Sequence, residues 1–213
     1  GANLAAGTVW LWARPEMAGS VDVLFVDEAG QISLANVLAA SRAADSIVLL
    51  GDPQQLEQPQ KGVHPPGTDA AALEHLVGGA TLSTDRGLFL EETWRLHPDV
   101  CAFTSELFYE GRLTSRLELA NQTVNAPAPF DGAGLRFVPV EHTGNSSESP
   151  EEVEVVRALI DELLAGDATW VDSAGVHHPI QLKDVLVVAP YNAQVAALRA
   201  ALPEGARVGT VDK

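Results

Sequence analysis

One cysteine, Cys101, stands in 213 residues, and lysine occurs only at Lys61, Lys183 and Lys213. A lone cysteine excludes an internal disulfide framework and fits a reducing cytoplasm. It lies in the helical pattern HPDVCAFTSELF, where a small buried hydrophobe is the expected role. The scarcity of lysine removes a second device. A phosphate-cradling loop needs a glycine-rich turn followed by Lys-Ser or Lys-Thr, and none of the three lysines has that setting. CxxC and HExxH clusters are lacking too, so no structural metal is expected. No apolar run is long enough to span a membrane and no signal-peptide pattern opens the chain, so the expectation is a cytoplasmic chain with no membrane partner. Positive charge is also short: Lys and Arg total 13 against 29 Asp and Glu, a net charge of −16. So acidic a surface repels nucleic acid unless a local patch, or residues beyond this segment, supplies the attraction. The acids crowd between Glu141 and Asp167, where eight stand against one base, Arg157, the pattern of a solvated face.

What is present is ordinary for a folded chain: 46% apolar and 20% charged residues, enough for one large domain or two small ones. Short β-rich runs alternate with helical stretches. VDVLFVD (21–27) reads as a fully buried strand, and SLANVLAASRA (33–43) as a helix capped by Ser33. SIVLLGD (46–52) is the next strand, and DAAALEHLV (69–77) a helix ending at Gly78-Gly79. A short strand is expected within GLFLEETWRL (87–96), then a helix from Pro98 to Gly111 with proline at its first position. A loop-rich stretch (114–131) follows, then a strand LRFVPV (135–140) and a helix over 150–166 capped by Ser149. The buried strand DVLVVAP (184–190), a helix over 192–202 and a strand over 206–211 complete the chain. Strands alternating with such helices imply parallel βαβ units and the α/β class. A boundary near residue 92 divides a first domain, 1–91, from a second, 92–213.

Three polar sets fall at the carboxyl ends of these strands, where open parallel sheets bind ligands. They are Asp27-Glu28-Gln31, Gly51-Asp52-Pro53-Gln54-Gln55 and Pro190-Tyr191-Gln194. An apolar strand ending in Asp-Glu has the form of a Walker B element. The aspartate helps hold Mg²⁺, and the glutamate can take a proton from the water attacking the γ-phosphate of ATP. Alone, DEAGQ arises by chance in many proteins. LLGDPQQL begins 22 residues after Asp27 and closes the next strand, so a parallel sheet sets its loop beside the first. A neutral glutamine there can donate to a phosphate oxygen and accept from water. In isolation the same motif reads first as a proline-containing turn with solvent-facing glutamines.

FVDEAGQ, LLGDPQQL, ETWRLHPDVCAFTSELFYEGRL, VVAPYNAQV and RVGTVDK follow in the order and approximate spacing of motifs II, III, IV, IVa and the start of V of superfamily 1 helicases. The chain resembles that family from about residue 21 to its end. It looks most like branch 1B, with its RNA-surveillance helicases, flap-processing nuclease-helicases and bacterial helicases fused to RecB-like nucleases. The resemblance implies two incomplete RecA-like domains, with parallel sheets flanked by helices. It implies ATP and Mg²⁺, with Asp27 as metal ligand, Glu28 as general base and Gln31 near the attacking water. Gln55 matches a glutamine that contacts the γ-phosphate. Arg95 matches an arginine finger reaching that phosphate across an interdomain cleft. Trp94 occupies a position beside the nucleotide base where relatives often carry tyrosine, and Thr93 replaces a glutamine that would read the base edge. Pro190, Tyr191 and Gln194 match an element near the nucleic-acid strand, and Thr210 a threonine that approaches its backbone. The implied partner is single-stranded nucleic acid, DNA ahead of RNA, travelled 5′ to 3′, with an adjoining nuclease domain as a further partner.

Each of these residues also has a plainer reading. Arg95 alone reads as half of a surface ion pair with Glu91 or Glu92. His97 reads as a residue heading its helix, and Phe103, Phe108 and Tyr109 as core at helical spacing. Tyr191 can pack on its own helix, and Glu152 reads as a capping residue. The alternative to a motor is a degenerate, non-catalytic RecA-like binding module whose acidic helix takes a basic partner. Intact Asp27, Glu28, Gln55 and Arg95 count against it. A kinase-like hydrolase does not account for GDPQQL followed by WRLHP. The chain opens without methionine, lacks the P-loop and stops before the arginine of motif VI. It is therefore expected to be an excised fragment, inactive alone and open along an unpaired sheet edge.

Overall fold

The near-continuous apolar run VDVLFV forms β1 (Val21–Val26), and ADSIVL forms its parallel neighbour β2 (Ala44–Leu49). Their register runs from Val21 opposite Ala44 to Val26 opposite Leu49. The computed structural model describes residues 3–55, 70–78 and 87–211. Asp69 and Gly79 of the expected third helix, Leu56 of LLGDPQQL and Asp212-Lys213 of RVGTVDK lie outside those residues. The described residues divide into two compact units, one within 1–90 and 108–110, the other within 91–107 and 111–213.

In the first unit a one-turn helix α1 (Val9–Trp12) and the longer α2 (Leu34–Ser41) accompany the strands. Ser33 caps α2 as expected, its hydroxyl oxygen accepting the Asn36 N–H at 3.4 Å. Val37 and Ala40, three residues apart on one helical face, pack with Leu24 and Val26 of β1, Trp12, Ala43 and Ala72. A third helix, α3 (Ala72–Val77), stops at Gly78, whose φ of 68° is the left-handed conformation that ends helices. The expected full burial of β1 is not met. Phe25 is 62% exposed, and Val23, Ile47 and Val48 are exposed beside it. Among the described residues the sheet has two strands, and helices cover only one of its faces.

The second unit opens with β3 (Glu92–Thr93) and α4 (Pro98–Phe108), and β4 (Thr114–Ser115) pairs parallel to β3. His97 heads α4, its Nδ1 accepting the Asp99 N–H at 3.1 Å. The helix ends three residues before Gly111, in a turn where Glu110 and Gly111 both take positive φ and Gly111 N–H reaches Ser105 O at 2.9 Å. Next come β5 (Val124–Asn125) and α5 (Pro150–Ala165). Ser149 caps α5 through a 3.3 Å bond from Glu152 N–H, and proline at the first position needs no partner. After β6 (Thr169–Val171) and β7 (His177–Pro179), β8 (Leu186–Val188), α6 (Asn192–Ala201) and β9 (Arg207–Gly209) form a parallel β-α-β unit. Val153 and Ile160 of α5 meet Val195 and Leu198 of α6 over Ala189 and Val208.

The α/β class and the parallel pairs stand, with two departures. Residues 135–140 form no strand: Pro139 lacks an N–H for a ladder, and Phe137 lies exposed with no strand neighbour among the described residues. An antiparallel sheet β5-β6-β7 is present as well: β5 lies in the stretch expected to be loop, and β6 and β7 lie where no element was expected. Its turn is built by Asp172, whose Oδ1 accepts the N–H groups of Ala174 and Val176, both at 2.9 Å.

Candidate active site

The chain leaves β1 at Asp27 and turns at once. Glu28 sits at φ 54°, the left-handed region that side chains other than glycine enter at a cost. Two bonds hold it there: its N–H donates to Asp27 Oδ1 at 3.1 Å, and its carbonyl accepts the Gln31 N–H at 2.8 Å. Both carboxylates remain exposed at the strand end.

The loop after β2 is meshed with this turn through backbone. Ala29 N–H donates to Leu50 O and Leu50 N–H to Val26 O, both at 2.8 Å. A Cβ on Gly30 would stand 2.1 Å from the Asp52 carbonyl oxygen, and one on Gly51 would lie 2.8 Å from Ala29 N. Both contacts are to backbone, which cannot swing aside, so only glycine allows this approach. Gln31 Nε2 then donates to Gln55 Oε1 at 2.9 Å. Asp27, Glu28, Gln31 and Gln55 are thus brought onto two adjoining loops, with amide donors and acceptors beside two exposed carboxylates.

Asp52 braces the second loop. Its Oδ1 accepts the Gln54 N–H at 2.9 Å, and its Oδ2 accepts the hydroxyl of Tyr109, a residue of the same unit. Burial, then the hydrogen bond to Asp52 and that residue's charge, push the Tyr109 hydroxyl well above the usual tyrosine range. Phe89 packs against the Tyr109 ring with centroids 5.8 Å apart. Tyr109 was expected as core alone; its bond to Asp52 had no signal in the sequence, 57 residues away.

In the second unit, the turn after β3 presents Trp94, 71% exposed, and Arg95. Thr93 Oγ1 accepts the Arg95 N–H at 3.3 Å, and Ser115 Oγ donates to Leu96 O at 2.6 Å. Among the described residues no side chain pairs with the Arg95 guanidinium, and Glu91 is taken by Arg112 at 2.5 Å. The surface ion pair expected of an isolated Arg95 does not form. Phe103 is half exposed rather than core, whereas Cys101 is buried as expected.

Pro190 and Tyr191 follow β8 and Thr210 follows β9, so all three leave the carboxyl ends of paired strands, joined by Ala189 N–H to Gly209 O at 3.1 Å. Tyr191 is exposed. Gln194 is turned elsewhere. It is buried, its Oε1 accepts the Ser149 N–H at 2.7 Å, and its Nε2 donates to Ser149 O and Glu152 Oε2 at 3.4 Å. It ties α6 to the start of α5.

Among the described residues no three His, Cys, Asp or Glu side chains gather as a metal cage, and no helix is long and apolar enough to cross a membrane. Asp27 does suit Mg²⁺. That ion is commonly held by one or two carboxylates together with substrate phosphates and water, and Asp27 presents an exposed oxygen donor at a strand end.

Comparison with known proteins bears on the whole chain. A family model described as an AAA domain matches residues 71–213, and one described as the viral superfamily 1 RNA helicase core domain matches residues 3–125. The mouse (Mus musculus) 3'-5' exoribonuclease HELZ2 is 27% identical over 198 residues, covering 84% of this chain and 6% of its own length. DNA-binding protein SMUBP-2 of Mesocricetus auratus is 29% identical, covering 85% of this chain and 18% of its own length. Helicase sen1 of Schizosaccharomyces pombe is 29% identical, covering 84% and 10%. The chain therefore spans less than a fifth of the length of each of these three relatives.

Proposed function

Because the chain belongs to the superfamily 1 helicases, we propose that it supplies part of the catalytic machinery of a motor that hydrolyses ATP and moves along single-stranded nucleic acid. The observation that carries this reading is the meshing of the DEAGQ and GDPQQ loops at Gly30 and Gly51, closed by the Gln31–Gln55 bond. It sets an acid pair beside paired neutral amides, the groups needed to activate a water and to sense a phosphate.

In this reading residues 1–91 form the later part of a first RecA-like domain, and 92–213 the earlier part of a second. Asp27 would hold Mg²⁺, and the ion would supply positive charge to offset that of the ATP phosphates. Glu28 accepts the proton of the attacking water. Gln31 and Gln55 orient that water and contact the γ-phosphate. Arg95, exposed and without a side-chain partner among the described residues, supplies a guanidinium to the charge that develops on the transferred phosphoryl group. Trp94 lies beside the nucleotide base. Pro190, Tyr191 and Thr210 face the nucleic acid. Gln194 acts there indirectly, by fixing the helix that follows Tyr191. DNA is the proposed strand and 5′ to 3′ the direction. The name of the relative SMUBP-2 supports the first, and the exoribonuclease name of HELZ2 supports a nuclease domain elsewhere in the complete protein. We place the protein in the cytoplasm, consistent with a single unpaired cysteine.

The test is phosphate release from ATP with single-stranded DNA, for this chain and for the complete protein. Turnover by the complete protein, lost in Glu28→Gln by at least about 100-fold, is expected. No turnover is expected from residues 1–213 alone. A complete protein without DNA-stimulated turnover overturns the reading.

A further inference from the structure

Arg116 stacks on Trp94. Its guanidinium carbon stands 3.6 Å from the centroid of the indole, while the ring as a whole remains exposed. Two neighbours secure the arrangement. Glu118 Oε1 holds Arg116 Nε at 2.6 Å, and Arg116 N–H donates to Thr93 O at 3.4 Å. With the Ser115–Leu96 bond, residues 115 and 116 brace both ends of the Thr93–Leu96 turn. All of these groups lie within the second unit.

We propose that Arg116 is a positioning residue for nucleotide binding: it covers one face of Trp94 and presents the other as the stacking surface for the base of ATP. This rests on the reading of Trp94 as the neighbour of the nucleotide base. An indole free in solvent must be ordered when a base stacks on it, and that entropy weakens binding. Arg116 orders the ring beforehand. A planar guanidinium can lie flat on an indole face, and a lysine ammonium cannot match that contact.

The experiment is steady-state ATP hydrolysis by the complete protein at saturating single-stranded DNA, for wild type, Arg116→Ala, Arg116→Lys, Trp94→Ala and the Arg116→Ala/Trp94→Ala double variant. Inorganic tripolyphosphate, which has no base, serves as a competitive inhibitor. Arg116→Ala is expected to raise KM for ATP about threefold to tenfold, with kcat within about twofold of wild type. Arg116→Lys falls between. The double variant is no worse than Trp94→Ala, because both remove one contact, and the inhibition constant of tripolyphosphate stays fixed in every variant. An unchanged KM in Arg116→Ala, additive effects in the double variant, or a tripolyphosphate constant that moves with KM overturns the role of Arg116. So does a loss confined to the DNA concentration needed for activation. Absence of turnover in the wild-type protein overturns the motor reading, and this inference with it.

Discussion

Glu28 is the residue where conformation and chemistry conflict most. A left-handed backbone costs a residue with a Cβ about 1–2 kcal/mol, and glycine escapes it. Glycine also returns about 0.5–1 kcal/mol to the unfolded chain as entropy. The difference favours Glu28→Gly by up to about 1.5 kcal/mol. That variant is expected to raise the urea midpoint of the chain while removing turnover from the complete protein, the trade between stability and activity seen at strained sites. A lower midpoint would contradict the assignment of strain to Glu28. The acid pair and the two glutamines were legible in the sequence because their residue types recur at strand ends. The strain at Glu28 was not, since nothing in DEAGQ specifies a positive φ at glutamate rather than at the glycine two places on.

At the scale of elements, the two loops stand in contact because Gly30 and Gly51 admit a backbone-to-backbone approach, and because Tyr109 fixes Asp52 from outside them. Tyr109→Phe removes the donor to Asp52 Oδ2 and is expected to cost about 1–2 kcal/mol. Its pH dependence is distinctive. The folded Tyr109 hydroxyl titrates above the unfolded value of about 10. Its contribution is therefore complete below that pH and is lost as pH climbs from there toward the folded value. Urea melts at pH 8 and pH 11 should show wild type losing more stability on the alkaline side than Tyr109→Phe; equal losses would contradict the assignment. Capped helices were legible from Ser33, Ser149 and Pro150, since a cap is a local event. Strands were less so. Among the described residues LRFVPV meets no strand to pair with, and the hairpin over 169–179 depends on the turn built by Asp172, which the aspartate's place in VDSAG does not announce by itself.

At the scale of the molecule, an acidic chain carries an apolar sheet face. Val23, Phe25 and Val48 lie exposed on one face of the sheet that β1 and β2 form in the first unit. Exposed apolar strands invite pairing with other copies. The chain alone is expected to self-associate in light scattering despite its charge of −16, and Phe25→Lys to reduce that association without lowering helix content in circular dichroism. Monodisperse monomer in the unsubstituted chain would sink this expectation.

The sequence by itself determined the α/β class, the helix caps and the order of the chemistry-bearing loops, because each is written in residues close together along the chain. Tertiary structure alone decided which polar groups are spent and which stay available. Gln194 resembles a nucleic-acid contact in sequence, yet it is buried against Ser149, 45 residues away. Arg95 resembles an ordinary surface cation, yet Glu91 has gone to Arg112. Hydrogen-bond partners and ring faces are allotted by groups that meet only when distant segments pack, and no local pattern encodes that meeting.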